Sequence, residues 1–259
     1  MTELELTHLS VKIRERTLLD DLSLRVGAGE LVALIGPNGA GKTTLLKAAL
    51  GLRAATSGSV LLGGRAVTEI DARSRAGMIA WLPQQVRADE PVTSLESVAA
   101  ARFRFRESHA RSLVVARAAL QRVGAADYAE RPITQLSGGE RQRVGFACLV
   151  AQEANVLLFD EPANHLDPAQ QLEVYRLLGE LWREGRTILC INHDVNLLHQ
   201  VGDPTRVRVV GLRAGRVAFD ARFADASLPA QLSALFGIEM AAVQGSQQRF
   251  IVPQREREP

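Results

Sequence analysis

Residues 36–43 read "GPNGAGKT": a glycine, four residues, a second glycine, then lysine and threonine. That spacing suits a string of phosphates. Gly36, Gly39 and Gly41 let backbone N–H groups close around anionic oxygens, with Pro37, Asn38 and Ala40 completing the turn, and a helix starting here presents its positive end. Lys42 adds a cation, and the Thr43 hydroxyl, with Thr44 beside it, is placed to ligate Mg²⁺. At ordinary glycine frequencies of roughly 7%, a chance match in a chain of this length is on the order of one in a hundred.

Such a loop needs a carboxylate to hold the metal and another to activate water. The segment "VLLFDE" at 156–161 supplies both. Its four apolar residues bury a strand and leave Asp160 at the C-terminal end, where α/β folds bind ligands. Asp160 is the predicted Mg²⁺ residue, and Glu161, one residue further, the predicted general base.

The surrounding pattern must position these groups. "LELTHLSVKI" and "TLLDDLSLRV" alternate as strands do, and "ELVALIG" at 30–36 is a short apolar run leading into the glycine loop. "TTLLKAALGL" has helical spacing, "SGSVLLGGR" reads as a strand with a glycine turn, and "GMIAWLPQQ" at 77–85 as a strand ending at Pro83. From 91 to 124 the pattern is helical, and "ARFRFR" within it is expected to be a solvated or partner-facing edge. "NVLLFDE" and "RTILCIN" are two further buried strands separated by the helix "AQQLEVYRLLGELWREG"; alternation of this kind predicts a mostly parallel sheet covered by helices. Two short strands, "RVRVVGL" and "GRVAF", and a helix near 228–236 follow, with "VPQREREP" expected to be frayed.

Composition excludes several classes. The 259 residues are 46% hydrophobic, enough for a full core, and 31 basic against 29 acidic residues leave a net charge of +2. No field of that size calls for nucleic acid or lipid. The two cysteines, Cys148 and Cys190, sit in apolar runs without metal-ligand spacing and are expected as reduced core residues. "MTELELTHLS" lacks a signal-peptide pattern, and no run reaches about 18 apolar residues. His8, His109, His165 and His199 belong to no constellation.

"LSGGE" at 136–140 resembles the signature motif of ABC-type ATPases, and further motifs of that family fall in order. "GPNGAGKT" is similar to Walker A, Gln84 in "WLPQQ" to the Q-loop, "VLLFDE" to Walker B, "NHLD" at 164–167 to the D-loop, and His193 in "INHD" to the switch histidine. The resemblance runs from about Leu4 to about Phe236. It implies an α/β P-loop NTPase fold of the ABC type, with a mostly parallel core, an N-terminal antiparallel β part, and a helical subdomain at about 86–153 inserted in a RecA-like core of one domain, 1–259.

The resemblance also implies ATP and Mg²⁺ as ligands. Gln84 contacts metal and water, and His193 reaches the γ-phosphate. Ser137, Gly138 and Gly139 open a helix, so their free N–H groups form a second anion site. In the family that signature closes over ATP held by a second copy, which makes a head-to-tail dimer. The family's aromatic stacking residue is replaced by Ile13, leaving an apolar contact from Ile13 or a planar one from Arg16.

Finer resemblance, in "DEPANHLD", "NHDVNLLHQVGD" and "ALFGIEMAAV", is to the ATPases of importers for iron siderophores, haem and cobalamin. It implies an ATP-hydrolysing subunit on the cytoplasmic face of the inner membrane, working with two permease copies and, indirectly, an external binding protein. The alternative is a cytosolic ABC scaffold. On the importer reading, the block beginning at Val86 couples Gln84 to the permease, and charge reversal at Arg102 and Arg104 is expected to spare basal ATPase activity.

Overall fold

The computed structural model describes residues 2–86, 91–164, 166–246 and 248–254. Its centre is a six-stranded sheet in which β3 (Leu31–Ile35), β8 (Thr187–Ile191), β7 (Val156–Asp160) and β6 (Ile79–Leu82) run parallel in that order. On the other side of β3 lie β9 (Arg208–Arg213), parallel to it, and the antiparallel edge strand β10 (Arg216–Arg222). Strands β3, β7 and β8 are buried along their whole length, which explains their continuous apolar runs.

A second sheet, of order β2-β1-β4-β5, is antiparallel: β1 (Leu4–Ile13), β2 (Arg16–Val26), β4 (Ser57–Leu62) and β5 (Arg65–Ala66). Its inward leucines and valines alternate with exposed polar residues, and together with Leu34, Ile191 and Leu212 they close over α1 (Lys42–Ala49). On the opposite face α6 (Pro168–Arg183) and α7 (Leu228–Phe236) pack with the large core around Phe146, Phe159 and Tyr175. Between β6 and β7 the described residues hold α3 (Ser94–Ala100), α4 (His109–Arg122) and α5 (Gly138–Gln152) and no strand. A hairpin of β11 (Met240–Gln244) and β12 (Arg249–Pro253) ends the described chain. Among the described residues no helix is long and apolar enough to cross a membrane.

Three expectations need correction. The strand expected from Gly77 begins at Ile79, because Gly77 and Met78 belong to α2 (Ala72–Met78), which Asp71 caps. Val252 and Pro253, expected to be frayed, pair with Ala241 and Met240 in the hairpin, while 255–259 lie outside the described residues. β6, the strand leading to Gln84, is the edge of the sheet next to β7.

The third concerns "ARFRFR". Arg102 is 5% exposed: Nε and Nη2 bond Glu107, at 2.5 and 2.8 Å, and Nη1 bonds Glu153 and the Ala151 carbonyl, each at 2.8 Å. Arg104 donates to the Gln152 carbonyl. Both guanidinium groups stack on Phe105 at 3.8 Å. These arginines lock the turn after α3 to the end of α5; they do not solvate an edge.

Candidate nucleotide site

The loop between β3 and α1 places Lys42 at the helix start. Gly41, with φ 102°, sits in the left-handed region, and a side chain there would press on the Leu18 carbonyl. Lys42 is buried, and its Nζ donates to the carbonyls of Gly36 (2.6 Å) and Pro37 (3.1 Å), so the ammonium fills the ring of the loop. Burial lowers its pKa, and the neighbouring Glu161 and Asp160 oppose that shift.

Asp160 closes β7, which is separated from β3 only by β8. Its Oδ1 lies 3.2 Å from Thr43 Oγ1, bringing together a hydroxyl and a carboxylate from residues 117 positions apart. Burial raises the Asp160 pKa, as expected of an acid waiting for a cation, with the Thr43 bond opposing. Glu161 follows with φ 52°, an uncommon conformation for a side-chain-bearing residue and a local strain at a functional position.

Both carboxylate oxygens of Glu161 are taken. Oε1 lies 2.6 Å from His193 Nε2; Oε2 accepts from Gln84 Nε2 at 2.6 Å and from Asn164 Nδ2 at 3.0 Å. Thus three segments leaving β6, β7 and β8 meet on one carboxylate. The 2.6 Å contact brings the edge strand's Gln84 to the site despite its distance from β3 in the sheet. Asn164 was assigned no contact from the sequence; its signal was its place three residues after Glu161.

Together with Asn38, Gly39, Ala40, Thr43 and Thr44, these side chains line one open cavity of about 500 Å³. Arg16 and Leu18 line its other wall; Ile13 does not. Of the two residues considered for the base, only Arg16 reaches the site. Among the described residues no cluster of three His, Cys, Asp or Glu could hold a metal by itself. The Thr43–Asp160 pair, with Gln84 nearby, is a hard oxygen set of the kind Mg²⁺ uses when phosphates and water complete its octahedron.

Ser137, Gly138 and Gly139 do not line this cavity. Ser137 caps α5 in a reciprocal box with Glu140: the Glu140 amide donates to Ser137 Oγ, and the Ser137 amide donates to Glu140 Oε2. The Ser137 amide is therefore not free, which corrects that expectation. A side chain on Gly139 would fall on Gln170 Oε1, so the start of α5 abuts the first turn of α6.

The cysteines match their expected quiet role. Burial pushes the Cys148 thiol up to about 11 and raises that of Cys190 further, and both are free.

The ABC transporter family matches residues 19–164. The chain is 35% identical to the iron(3+)-hydroxamate import ATP-binding protein FhuC of Bacillus subtilis, over 94% of this chain and 91% of that one. It is 36% identical to the hemin import ATP-binding protein HmuV of Rhodopseudomonas palustris, over 93% of each. Among solved structures, the dimeric post-hydrolysis state of the ATP-binding cassette MJ0796, bound to ADP and Pi, superposes with a TM-score of 0.77 at 26% identity, covering 86% of this chain and 99% of that one.

Proposed function

From a chain that belongs to the ABC transporter family, and so is an ATPase, we propose an ATP-hydrolysing subunit that powers a membrane importer for an iron chelate, haem or cobalamin. One observation carries the reading: Lys42, Thr43, Gln84, Glu161 and His193 line one cavity beside Asp160, at the C-terminal ends of parallel strands. The cargo class rests on the similarity to hydroxamate and hemin import proteins. The working unit is one ABC ATPase domain whose helices from α3 to α5 form the inserted subdomain.

The chemistry follows from the resting contacts. Loop amides and Lys42 bind the triphosphate, which requires Lys42 to exchange its two carbonyl partners for phosphate oxygens. Thr43, Asp160 and Gln84 would hold Mg²⁺, which would supply charge neutralisation on the phosphates. Glu161 then takes a proton from water as its oxygen bonds to the γ-phosphorus and the bond to ADP breaks. Oε1 of Glu161, whose close neighbour is His193 Nε2, keeps a lone pair that can accept that water, while Gln84 and Asn164 hold Oε2. His193 lies against the carboxylate and can turn to the γ-phosphate.

The second γ-phosphate contact comes from Gly138 and Gly139 of another copy, because these glycines lie outside this chain's own cavity. The assembly is therefore two copies with two permease subunits on the cytoplasmic face of the inner membrane, served by an external binding protein. The test is reconstitution: the purified subunit should hydrolyse ATP with Mg²⁺, and vesicles holding it with its permease should take up ferric hydroxamate, haem or cobalamin. Hydrolysis without uptake of any of the three would refute the cargo class.

A further inference from the structure

His193 is followed by a tight turn, Val195–Val201, whose N-cap Asp194 accepts from the Asn196 amide at 2.8 Å. A turn of this 3-10 kind has no long hydrogen-bond ladder of its own, so outside contacts fix its position. Val195, Leu198 and Val201 anchor one side in the core, against α6. The polar side chains of the same turn face the C-terminal hairpin.

There the contacts are specific. Asn196 bonds both backbone groups of Ile251: Nδ2 donates to the carbonyl at 3.0 Å, and Oδ1 accepts from the amide at 2.9 Å. His199 Nε2 lies 2.8 Å from the Arg249 carbonyl, with its ring edge-on to Phe223 and tilted against Phe250. Ile251 is 2% exposed and completes the core beside the turn. The hairpin is held at its other end by Ser233, whose Oγ accepts from the Met240 amide. A side chain that pairs with both backbone groups of the buried Ile251 as a neighbouring strand would is a costly thing to leave half-satisfied, so these contacts tie the turn to the hairpin.

We propose that the C-terminal hairpin is a clamp on the switch segment, in which Asn196, by bonding Ile251, fixes the turn three residues after His193 and thereby sets the contact between His193 and Glu161. Asn196 touches no reacting atom; it is a positioning residue. The inference rests on the reading of His193 and Glu161 given above. It predicts that anything loosening the hairpin slows hydrolysis without weakening nucleotide binding, since the phosphate loop lies on β3 and α1, away from the clamp.

The experiment uses the full chain with Asn196→Ala, Asn196→Asp, His193→Ala and the double variant, each assayed for ATPase kinetics, melting temperature and amide exchange at 249–253. Asn196→Asp keeps the acceptor for the Ile251 amide but sets a carboxylate oxygen against the Ile251 carbonyl, so it opposes a contact that Asn196→Ala only deletes. Expected are faster exchange at Ile251, a fall in kcat of about fivefold or more with KM for ATP within about twofold, and an equal or larger fall for Asn196→Asp. The double variant should be no slower than His193→Ala alone, since both changes act on one contact. Unchanged kcat despite faster exchange, or additive losses in the double variant, would overturn the clamp alone. Wild-type hydrolysis by His193→Ala would overturn the site reading, and the clamp with it.

Discussion

Nε2 of His193 lies 2.6 Å from Oε1 of Glu161, joining the ends of β8 and β7 through a carboxylate that Gln84 also holds. The strained backbone at Glu161 and the amide donors of Gln84 and Asn164 fix the acid before any substrate arrives. Glu161→Gln keeps the shape and removes the proton acceptor. Hydrolysis should fall by about 10²- to 10⁴-fold, the usual contribution of a positioned base, while ATP binding persists. Phosphate release measures the first, and light scattering with ATP and Mg²⁺ reports whether trapped nucleotide holds two copies together.

Lys42→Ala should abolish productive ATP binding. In the resting loop Nζ already bridges the Gly36 and Pro37 carbonyls, so its removal also leaves two inward carbonyls without their donor. Titration with a fluorescent ATP analogue should show at least about tenfold weaker binding, as expected for a lost charge-assisted contact. Normal affinity would move the phosphates elsewhere.

The base is a different matter, because Arg16 lines the cavity and, among the described residues, no Phe, Tyr or Trp does. Phosphate contacts then dominate binding, and a guanidinium stacks on any purine. The ratio of kcat/KM for ATP over GTP should stay within about tenfold, less than a site that reads base edges achieves. A larger preference would require a further residue that recognises the exocyclic amine.

What could be read from the chain depended on how local the signal was. The loop at 36–43 and the buried strands β3, β7 and β8 were legible because each is a contiguous run ending where chemistry must sit, and Thr43 and Asp160 meet because two of those runs end at one site. Gln84 came from motif order; that its strand is the sheet edge beside β7 depends on strand order, which no local pattern encodes. The hairpin was missed because β11 is mostly exposed and its short apolar run shows no polar–apolar alternation, and its partner on the turn, Asn196, is 55 residues from Ile251. "ARFRFR" looked solvated by composition, while its burial comes from Glu153, which is 51 residues further on.

That burial reverses the expectation for Arg102. With 4% of its side chain exposed and two carboxylates bonded to it, Arg102→Glu would put three negative charges together at the end of α5. Breaking a buried pair costs about 3–5 kcal/mol, so the melting temperature should drop by about 10 °C and ATPase activity should fall with it. Differential scanning calorimetry measures the first directly. An unchanged melting temperature would mean that this turn is not locked to α5.

The same cluster sets a pH dependence. The Arg102 guanidinium, with help from the Ser112 hydroxyl, lowers the Glu107 carboxyl from 4.5 to about 2. A carboxylate whose folded pKa is depressed contributes stability that is complete above its unfolded pKa and is lost as pH falls through the folded one. The stabilisation by Glu107 is therefore full above about pH 5 and disappears between about 4.5 and 2. Glu107→Gln keeps the size and an acceptor oxygen but has no proton to gain, so it removes this one titration and leaves every other carboxylate in place. Urea midpoints of wild type and variant, compared from pH 7 downward, should differ by a constant amount to about pH 5 and then converge. Other acids titrate equally in both proteins and cancel in the difference, so a gap that stayed constant down to pH 3 would mean that Glu107 is not held by Arg102 in solution.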